Sequence, residues 1–146
     1  MESRAKQSDL DAIEALVDGI EAGWNCGDAE QFSARFATDG GFTNVMGMVY
    51  YGRDSFKERH DAIFKSIYKG SKSRFSIAKL RFIRPDVAVA DVDAEISGFS
   101  TLPPGTRAGA DGVMRSKLQM VLVKEKESWW ITAFHNVAVT PLPPIP

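Results

Sequence analysis

The hydrophobic pattern of this chain changes its period near residue 73. Before that point, apolar residues recur at helical spacing, which is typical of amphipathic helices. After it, apolar and polar residues alternate along four segments, which is typical of strands with one buried face. Helices followed by strands predict an α+β protein, in which the helices cover one face of a mainly antiparallel sheet.

Three helices are predicted before the change of period. The first covers "SDLDAIEALVDGIEAGWN", where Ser8 can cap its start, and its apolar stripe consists of Leu10, Ile13, Val17, Ile20 and Trp24. The second covers "AEQFSARFA", with Asp28 as its cap. A short hairpin over "FTNVMGMVYYG" should turn near Met46 and Gly47. The third helix, "RDSFKERHDAIFKSIYKG", carries His60 on its apolar stripe.

Four strands are predicted after residue 73, in two hairpins that turn at Pro85-Asp86 and near Lys126-Glu127. The Pro- and Gly-rich stretch "STLPPGTRAGADG" should form a long loop between the hairpins. We interpret residues 1–146 as one domain, whose tail over 139–146 runs extended because prolines cannot join a sheet interior.

Composition removes several classes of function. A net charge of −1 gives no electrostatic footprint for nucleic acid or an anionic membrane. No apolar run has the length of a membrane span, and the N-terminus lacks the apolar core of a signal peptide, so we expect a cytoplasmic protein. Cys26 is the single cysteine, and the two histidines match no metal-binding spacing. We therefore expect no metal and no cofactor.

Strand register predicts where the last histidine points. A two-residue turn at Lys126-Glu127 pairs Leu122 with Ile131, Met120 with Ala133, and Leu118 with His135. This register places His135 on the apolar face and Asn136 on the opposite, mixed face, unless a bulge intervenes. A turn of odd length would pair the rows differently but would keep the two residues on opposite faces.

The mixed face of the predicted sheet carries charges and apolar side chains. An acidic row of Asp91, Asp93 and Glu95 should lie near Arg115 and Lys117. We interpret it as a cross-strand charge ladder, and the alternative is a carboxylate acid/base or cation site. The same face should carry the apolar residues Trp130, Phe134, Val121 and Leu80. So much apolar surface favours a twofold homodimer that covers it.

The order of these elements resembles the nuclear transport factor 2-like superfamily in its SnoaL-like branch. The chain is most similar to the SgcJ/EcaC family, through "AGWNCGDAEQFSARFATDGGF", "GRDSFKERHDAIF", "VMRSKLQMVLVKE" and "WWITAFHNV". The resemblance implies a cone-shaped α+β fold, a pocket open at one end, and homodimers formed through the outer sheet face. Members of the superfamily include polyketide cyclases, ketosteroid isomerases, dehydratases and non-catalytic binding modules, so membership does not fix the chemistry.

The candidate site consists of residues predicted on the apolar face near the helices. His135 and His60 are the candidate acid/base groups, and the candidate substrate-binding residues are Trp24, Phe36, Phe42, Asn44, Phe64 and Met120. Met114 and the loop over residues 101–112 could lie at the mouth. Asp39 is interpreted as a turn residue, with a base role as the alternative.

Each candidate also has a structural interpretation. Either histidine could be a core residue bonded to a backbone carbonyl, Asn44 could bond its own turn, and the aromatic residues could be core alone. Two functions therefore stay open. The first is a cofactor-independent enzyme that moves a proton next to a carbonyl, with Asn44 or Tyr51 as hydrogen-bond donor. The second is a ligand-binding or assembly module without turnover.

Overall fold

Three helices and six strands make up the part of the chain that the computed structural model describes, residues 6–140. In chain order they are α1 (Gln7–Asn25), α2 (Ala29–Ser33), β1 (Phe36–Thr43), β2 (Val49–Tyr51), α3 (Arg53–Phe64), β3 (Lys72–Arg84), β4 (Val87–Ser97), β5 (Met114–Glu125) and β6 (Ser128–Ala138). Residues 141–146 of the predicted tail lie outside the described residues. No helix among residues 6–140 has the length and apolarity that a membrane crossing requires.

The strands form one curved sheet in the order β2-β1-β6-β5-β4-β3. Every neighbouring pair is antiparallel except β1 and β6, which run parallel. The helices pack on one face of this sheet, and the buried core lies between the two layers. The predicted α+β class with a mainly antiparallel sheet is therefore confirmed.

The second predicted helix is too long. Asp28 does cap α2 by accepting a hydrogen bond from the backbone N–H of Gln31, but the helix ends at Ser33. Phe36 begins β1 instead, and its ring lies against the backbone of Gly40, where an added Cβ would come within 2.8 Å of it. A glycine that looks like a helix terminator thus makes room for a core aromatic side chain.

The start of α1 also differs from the prediction. The helix begins at Gln7, its N-cap is Lys6, and no side chain of the cap accepts a hydrogen bond, so the predicted Ser8 cap is wrong. Asp9 in the first turn is buried instead, and it accepts a hydrogen bond from Trp129 Nε1 at 3.1 Å. Lys124 Nζ lies 2.9 Å from the same carboxylate, so this end of α1 is tied to β5 and β6. The Lys124 contact lowers the pKa of Asp9.

The two predicted hairpins form, but with register shifts that the prediction lacked, which in β3 lie between Ile77 and Lys79 and between Phe82 and Arg84. β3 and β4 pair Phe75 with Ala94 and Ile77 with Val92, and β4 pairs with β5 along its full length. One ion pair of the predicted charge ladder forms on the solvent face, where Lys117 Nζ lies 2.6 Å from Asp93 Oδ1, whereas Arg115 pairs with Asp111. The β5–β6 turn is at Lys126-Glu127, and both residues have positive φ, as a tight two-residue hairpin turn requires.

The register of β6 shifts by one residue in the middle of the strand. Leu122 pairs with Ile131 as predicted, but Val121 pairs with Ala133 and Met120 pairs with Phe134. Thr132 is therefore the extra residue of a β-bulge, and the alternation of faces inverts after it. Before the bulge Trp129 and Ile131 face the core, and after it Phe134 and Asn136 do.

Candidate functional site

A cavity of about 340 Å³ lies between the helices and the inner sheet face. Its volume is at the lower end of the range of about 300–1,000 Å³ that is usual for small-molecule sites. Most of its wall is apolar and comes from all three helices, the sheet and the connecting loops. The apolar lining residues are Trp24, Phe32, Phe42, Val45, Met46, Ile63, Ile67, Phe75, Ala94, Ile96, Leu102, Pro103, Pro104, Met114 and Phe134. The polar lining residues are Asn44, Arg59, His60, Tyr68, Thr101, Ser116 and Asn136.

His60 lies on the buried side of α3, within a cluster of aromatic rings. Its side chain is only 3% exposed, and its ring centroid is 4.5 Å from that of Phe32 and 5.1 Å from that of Phe42. Burial is the main reason why the pKa of His60 is lowered from 6.5 to about 4. The hydrogen bond to the Phe56 carbonyl acts in the opposite direction, and the nearby charge of Arg59 adds a smaller lowering. The imidazole is therefore neutral near pH 7.

The hydrogen bond of His60 decides which ring nitrogen is available. Nδ1 lies 2.7 Å from the carbonyl oxygen of Phe56, one helical turn earlier. Because a carbonyl can only accept, Nδ1 carries the proton, and Nε2 of the neutral ring is an acceptor. No hydrogen bond reaches Nε2 from any residue between 6 and 140. This nitrogen is therefore a base that no group in the described part of the chain uses.

Asn136 brings a second unused acceptor to the cavity wall. Its Oδ1 is fully buried and accepts no hydrogen bond from the described residues. A buried acceptor without a partner costs about 1–3 kcal/mol, so such atoms are uncommon in folded proteins. Asn136 therefore places an acceptor that the described residues leave unused next to the cavity.

Asn44 presents a donor at the same end of the sheet. Its Oδ1 accepts hydrogen bonds from the backbone N–H groups of Met46 and Met48, both at 3.0 Å, and so holds the β1–β2 turn. The structural interpretation of Asn44 is thus correct, yet the residue also lines the cavity. With the oxygen occupied, its Nδ2 group is the atom that remains for a ligand.

The cavity brings together only part of the predicted site. Trp24, Phe42, Asn44 and His60 line it, as do Met114 and residues 101–104 of the long loop. The other predicted substrate-binding residues, Phe36, Phe64 and Met120, are buried in the core and do not line it. Asp39 lies exposed in β1, and Tyr51 is 76% exposed, so neither reaches the cavity.

The predicted position of His135 is wrong. Its side chain is exposed on the outer face, opposite Gln119, because the bulge at Thr132 inverts the alternation of β6. Asn136, predicted on the dimer face, takes the place in the cavity that His135 was expected to hold. The two residues do lie on opposite faces, but with their predicted positions exchanged.

Several lining residues were not predicted. Phe32 and Ile63 could have been found, because they share helix faces with predicted core residues. Tyr68 lies in the turns after α3, where burial raises the pKa of its phenol to about 12. Asn136 carries no sequence signal, since nothing in "WITAFHN" marks Thr132 as the bulge.

This arrangement of helices on a curved sheet is the nuclear transport factor 2-like fold, also described as cystatin-like. An uncharacterized protein with a cystatin-like fold from Caulobacter vibrioides is 29% identical, over 90% of this chain and 90% of its own, with a TM-score of 0.76. An NTF-2 like protein of unknown function from Shewanella oneidensis MR-1 is 15% identical, over 88% of this chain and 98% of its own, with a TM-score of 0.72.

A ketosteroid isomerase-like protein from Erwinia carotovora atroseptica SCRI1043 has the same fold. It is 18% identical, over 93% of this chain and 100% of its own, with a TM-score of 0.70. No protein-family model matches the sequence, and no curated protein matches it. These similarities establish the fold and leave the chemistry to the site.

Proposed function

We propose that this protein binds a small, largely apolar carbonyl compound in the cavity and moves a proton on it without a cofactor. The observation that carries the proposal is the unused Nε2 of His60, a neutral base at a mainly apolar cavity wall. The fold also supports it, because one structural neighbour is described as ketosteroid isomerase-like.

The proposed chemistry needs two groups. His60 Nε2 takes a proton from the carbon next to the carbonyl, and Asn44 Nδ2 donates a hydrogen bond to the oxygen as negative charge develops. The apolar wall keeps water away, which strengthens both interactions. The low pKa of His60 makes it a weak base, so much of the rate must come from positioning.

Exchange of α-protons tests this chemistry directly. We would follow the loss of the α-proton NMR signals of 2-tetralone in D₂O, with wild-type protein and with the matched variants His60→Gln and His135→Gln. We expect catalysed exchange that His60→Gln reduces by roughly 10²-fold, which is the low end for a general base. His135→Gln should exchange at the wild-type rate, since the residue is exposed on the other sheet face. Equal rates for the two variants would exclude His60 as the base.

A non-catalytic binding protein is the second candidate, and a specific observation favours it. Among residues 6–140, no carboxylate side chain lines the cavity, so His60 is the sole base that the described wall supplies. If 2-tetralone stabilises the protein against thermal unfolding but no α-proton exchanges above the rate in buffer, binding without turnover is the function.

We further propose that the protein is a homodimer through its outer sheet face, as a SnoaL-like protein of the SgcJ/EcaC type. The apolar residues that support this are Val121, Val123, Trp130 and Val137, the last 56% exposed. Leu80 and Phe134 were predicted there too, but they pack on the core side. The apolar part of this face is therefore smaller than predicted, and Arg35 stacks over Trp130 at 4.5 Å.

Two similarly exposed valines allow a matched test of the dimer. Val137 is 56% exposed on the outer face of β6, and Val49 is 53% exposed on the edge strand β2. We expect sedimentation equilibrium to give a dimer for wild type and for Val49→Lys, and a weakened dimer for Val137→Lys. A wild-type monomer, or dimers that both variants preserve, would contradict this interface.

A further inference from the structure

Two unused polar atoms at the cavity wall are acceptors, and Asn44 Nδ2 offers a donor beside them. His60 Nε2 and Asn136 Oδ1 are both acceptors, and neither receives a hydrogen bond from the described residues. An acceptor is completed only by a donor, and a carbonyl oxygen, an ether oxygen, a carboxylate or a phenolate has none to offer. A bound molecule that brings its own donor hydrogen would complete these acceptors.

We propose that the cavity selects molecules by a neutral hydroxyl group, so that its ligands are hydroxylated compounds such as phenols, enols or hydroxy-carbonyl compounds, bound with the hydroxyl proton in place. This proposal rests on the proposed function of the cavity as a small-molecule site, and it names the substrate class. A carbonyl group on the same molecule would have Asn44 Nδ2 as its donor.

The acceptors discriminate against anions. An anionic oxygen placed beside His60 Nε2 or Asn136 Oδ1 would meet a lone pair and would lose its hydration without compensation. The aromatic rings around His60, from Phe32, Phe42 and Phe56, offer no hydrogen-bond donor either. A neutral hydroxyl group can therefore form a favourable hydrogen bond with these acceptors, whereas its anionic conjugate base cannot.

Arg59 is the charged residue of the lining that opposes this selection. It lines the cavity as a partly buried residue, with its guanidinium 5.9 Å from the ring centroid of Tyr50. A guanidinium attracts carboxylates and phenolates. Selection by the acceptors and selection by Arg59 therefore predict opposite orders of affinity, which one set of ligands can separate.

Three naphthalenes of similar size test the proposal: 2-naphthol donates a hydrogen bond, 2-methoxynaphthalene only accepts one, and 2-naphthoate is an anion. Dissociation constants would be measured by isothermal titration calorimetry at pH 7. We expect 2-naphthol to bind wild-type protein on the order of tenfold more tightly than either other compound, as one good hydrogen bond allows. We expect His60→Phe and Asn136→Leu each to reduce that preference, and His135→Phe to keep it.

Each other outcome is informative. Equal affinity for 2-naphthol and 2-methoxynaphthalene would overturn selection by a hydroxyl group, but it would still support the cavity as a small-molecule site. Tightest binding of 2-naphthoate would overturn it too and would assign selectivity to Arg59. Failure of all three to bind would overturn the proposed function together with this inference. Because the wild-type comparison alone decides between these outcomes, the test holds even if a variant does not fold.

Discussion

His60 should make the stability of this protein depend on pH between about 6.5 and 4. Burial lowers the pKa of His60 to about 4 in the folded protein, against an ordinary value of 6.5 in the unfolded chain. Between those values the unfolded chain binds more protons, so acidification favours unfolding. The free energy of unfolding should fall as the pH decreases through this window.

The size of the effect follows from the two pKa values. Their difference of about 2.5 corresponds to roughly 3 kcal/mol when the window has been crossed completely. By pH 5 the loss from this residue should already be about 2 kcal/mol. The lowered pKa of Asp9 acts in a separate window, because its contribution is present above the ordinary carboxyl value of 3.8 and is lost below it.

Urea denaturation between pH 4.5 and 7.5 measures the effect, and the two histidines provide the control. Other groups titrate in this range as well, so the informative quantity is the difference between wild type and variant. The stability of His60→Phe should decline less than that of wild type between pH 7 and pH 5, by about 2 kcal/mol. His135→Phe should follow the wild-type curve, because its side chain is exposed and the burial of His60 is unchanged. Parallel curves for wild type and His60→Phe would refute the claim that His60 is buried and neutral.

Three smaller predictions concern the fold. Glu127→Gly should stabilise the protein by about 0.5–1 kcal/mol in urea denaturation, because Glu127 has a φ of 66° in the β5–β6 turn. An unchanged free energy of unfolding would argue against that turn conformation. In α1, Gly19→Ala should stabilise the protein by about 1 kcal/mol, since nothing lies within 4 Å of the added Cβ. Gly23→Ala should destabilise it by about 1–3 kcal/mol, since the added Cβ would come within 2.6 Å of the α2 backbone. Thermal unfolding of both variants checks this, and equal effects would contradict the packing of the two helices. Asp9→Ala should reduce the free energy of unfolding by about 1–3 kcal/mol, because the buried Trp129 N–H loses its acceptor. An unchanged midpoint of urea denaturation would show that this hydrogen bond does not stabilise the fold.

The fold was predictable to the extent that hydrophobic periodicity determines it. The two long hairpins have strong alternation and clear turn residues, so their existence, their turns and the Asp93–Lys117 ion pair could be derived from the sequence, but the bulges that shift their registers could not. The segment after α2 could not, because "ARFATDGGF" fits a helix that ends at glycine as well as a strand that bends around Phe36. Tertiary pairing of β1 with β6 decides between them.

The site was predictable only where it depends on helices. The spacing of α3 places His60 on the buried side without ambiguity, and the structure agrees. The prediction for the strand residues of the site failed because of one inserted residue. The bulge at Thr132 moves Asn136 to the inner face of the sheet and His135 to the outer face. A strand has a period of two, so one extra residue exchanges its faces, while no local feature of the sequence announces the insertion.

The most direct test of the account is a crystal structure of the protein with 2-naphthol. We expect the ligand to occupy the cavity, with its hydroxyl oxygen within hydrogen-bond distance of His60 Nε2 or Asn136 Oδ1, and the outer sheet face around His135 to hold no ligand. A ligand bound only on the outer face, or a naphthol whose hydroxyl points away from both acceptors, would contradict it.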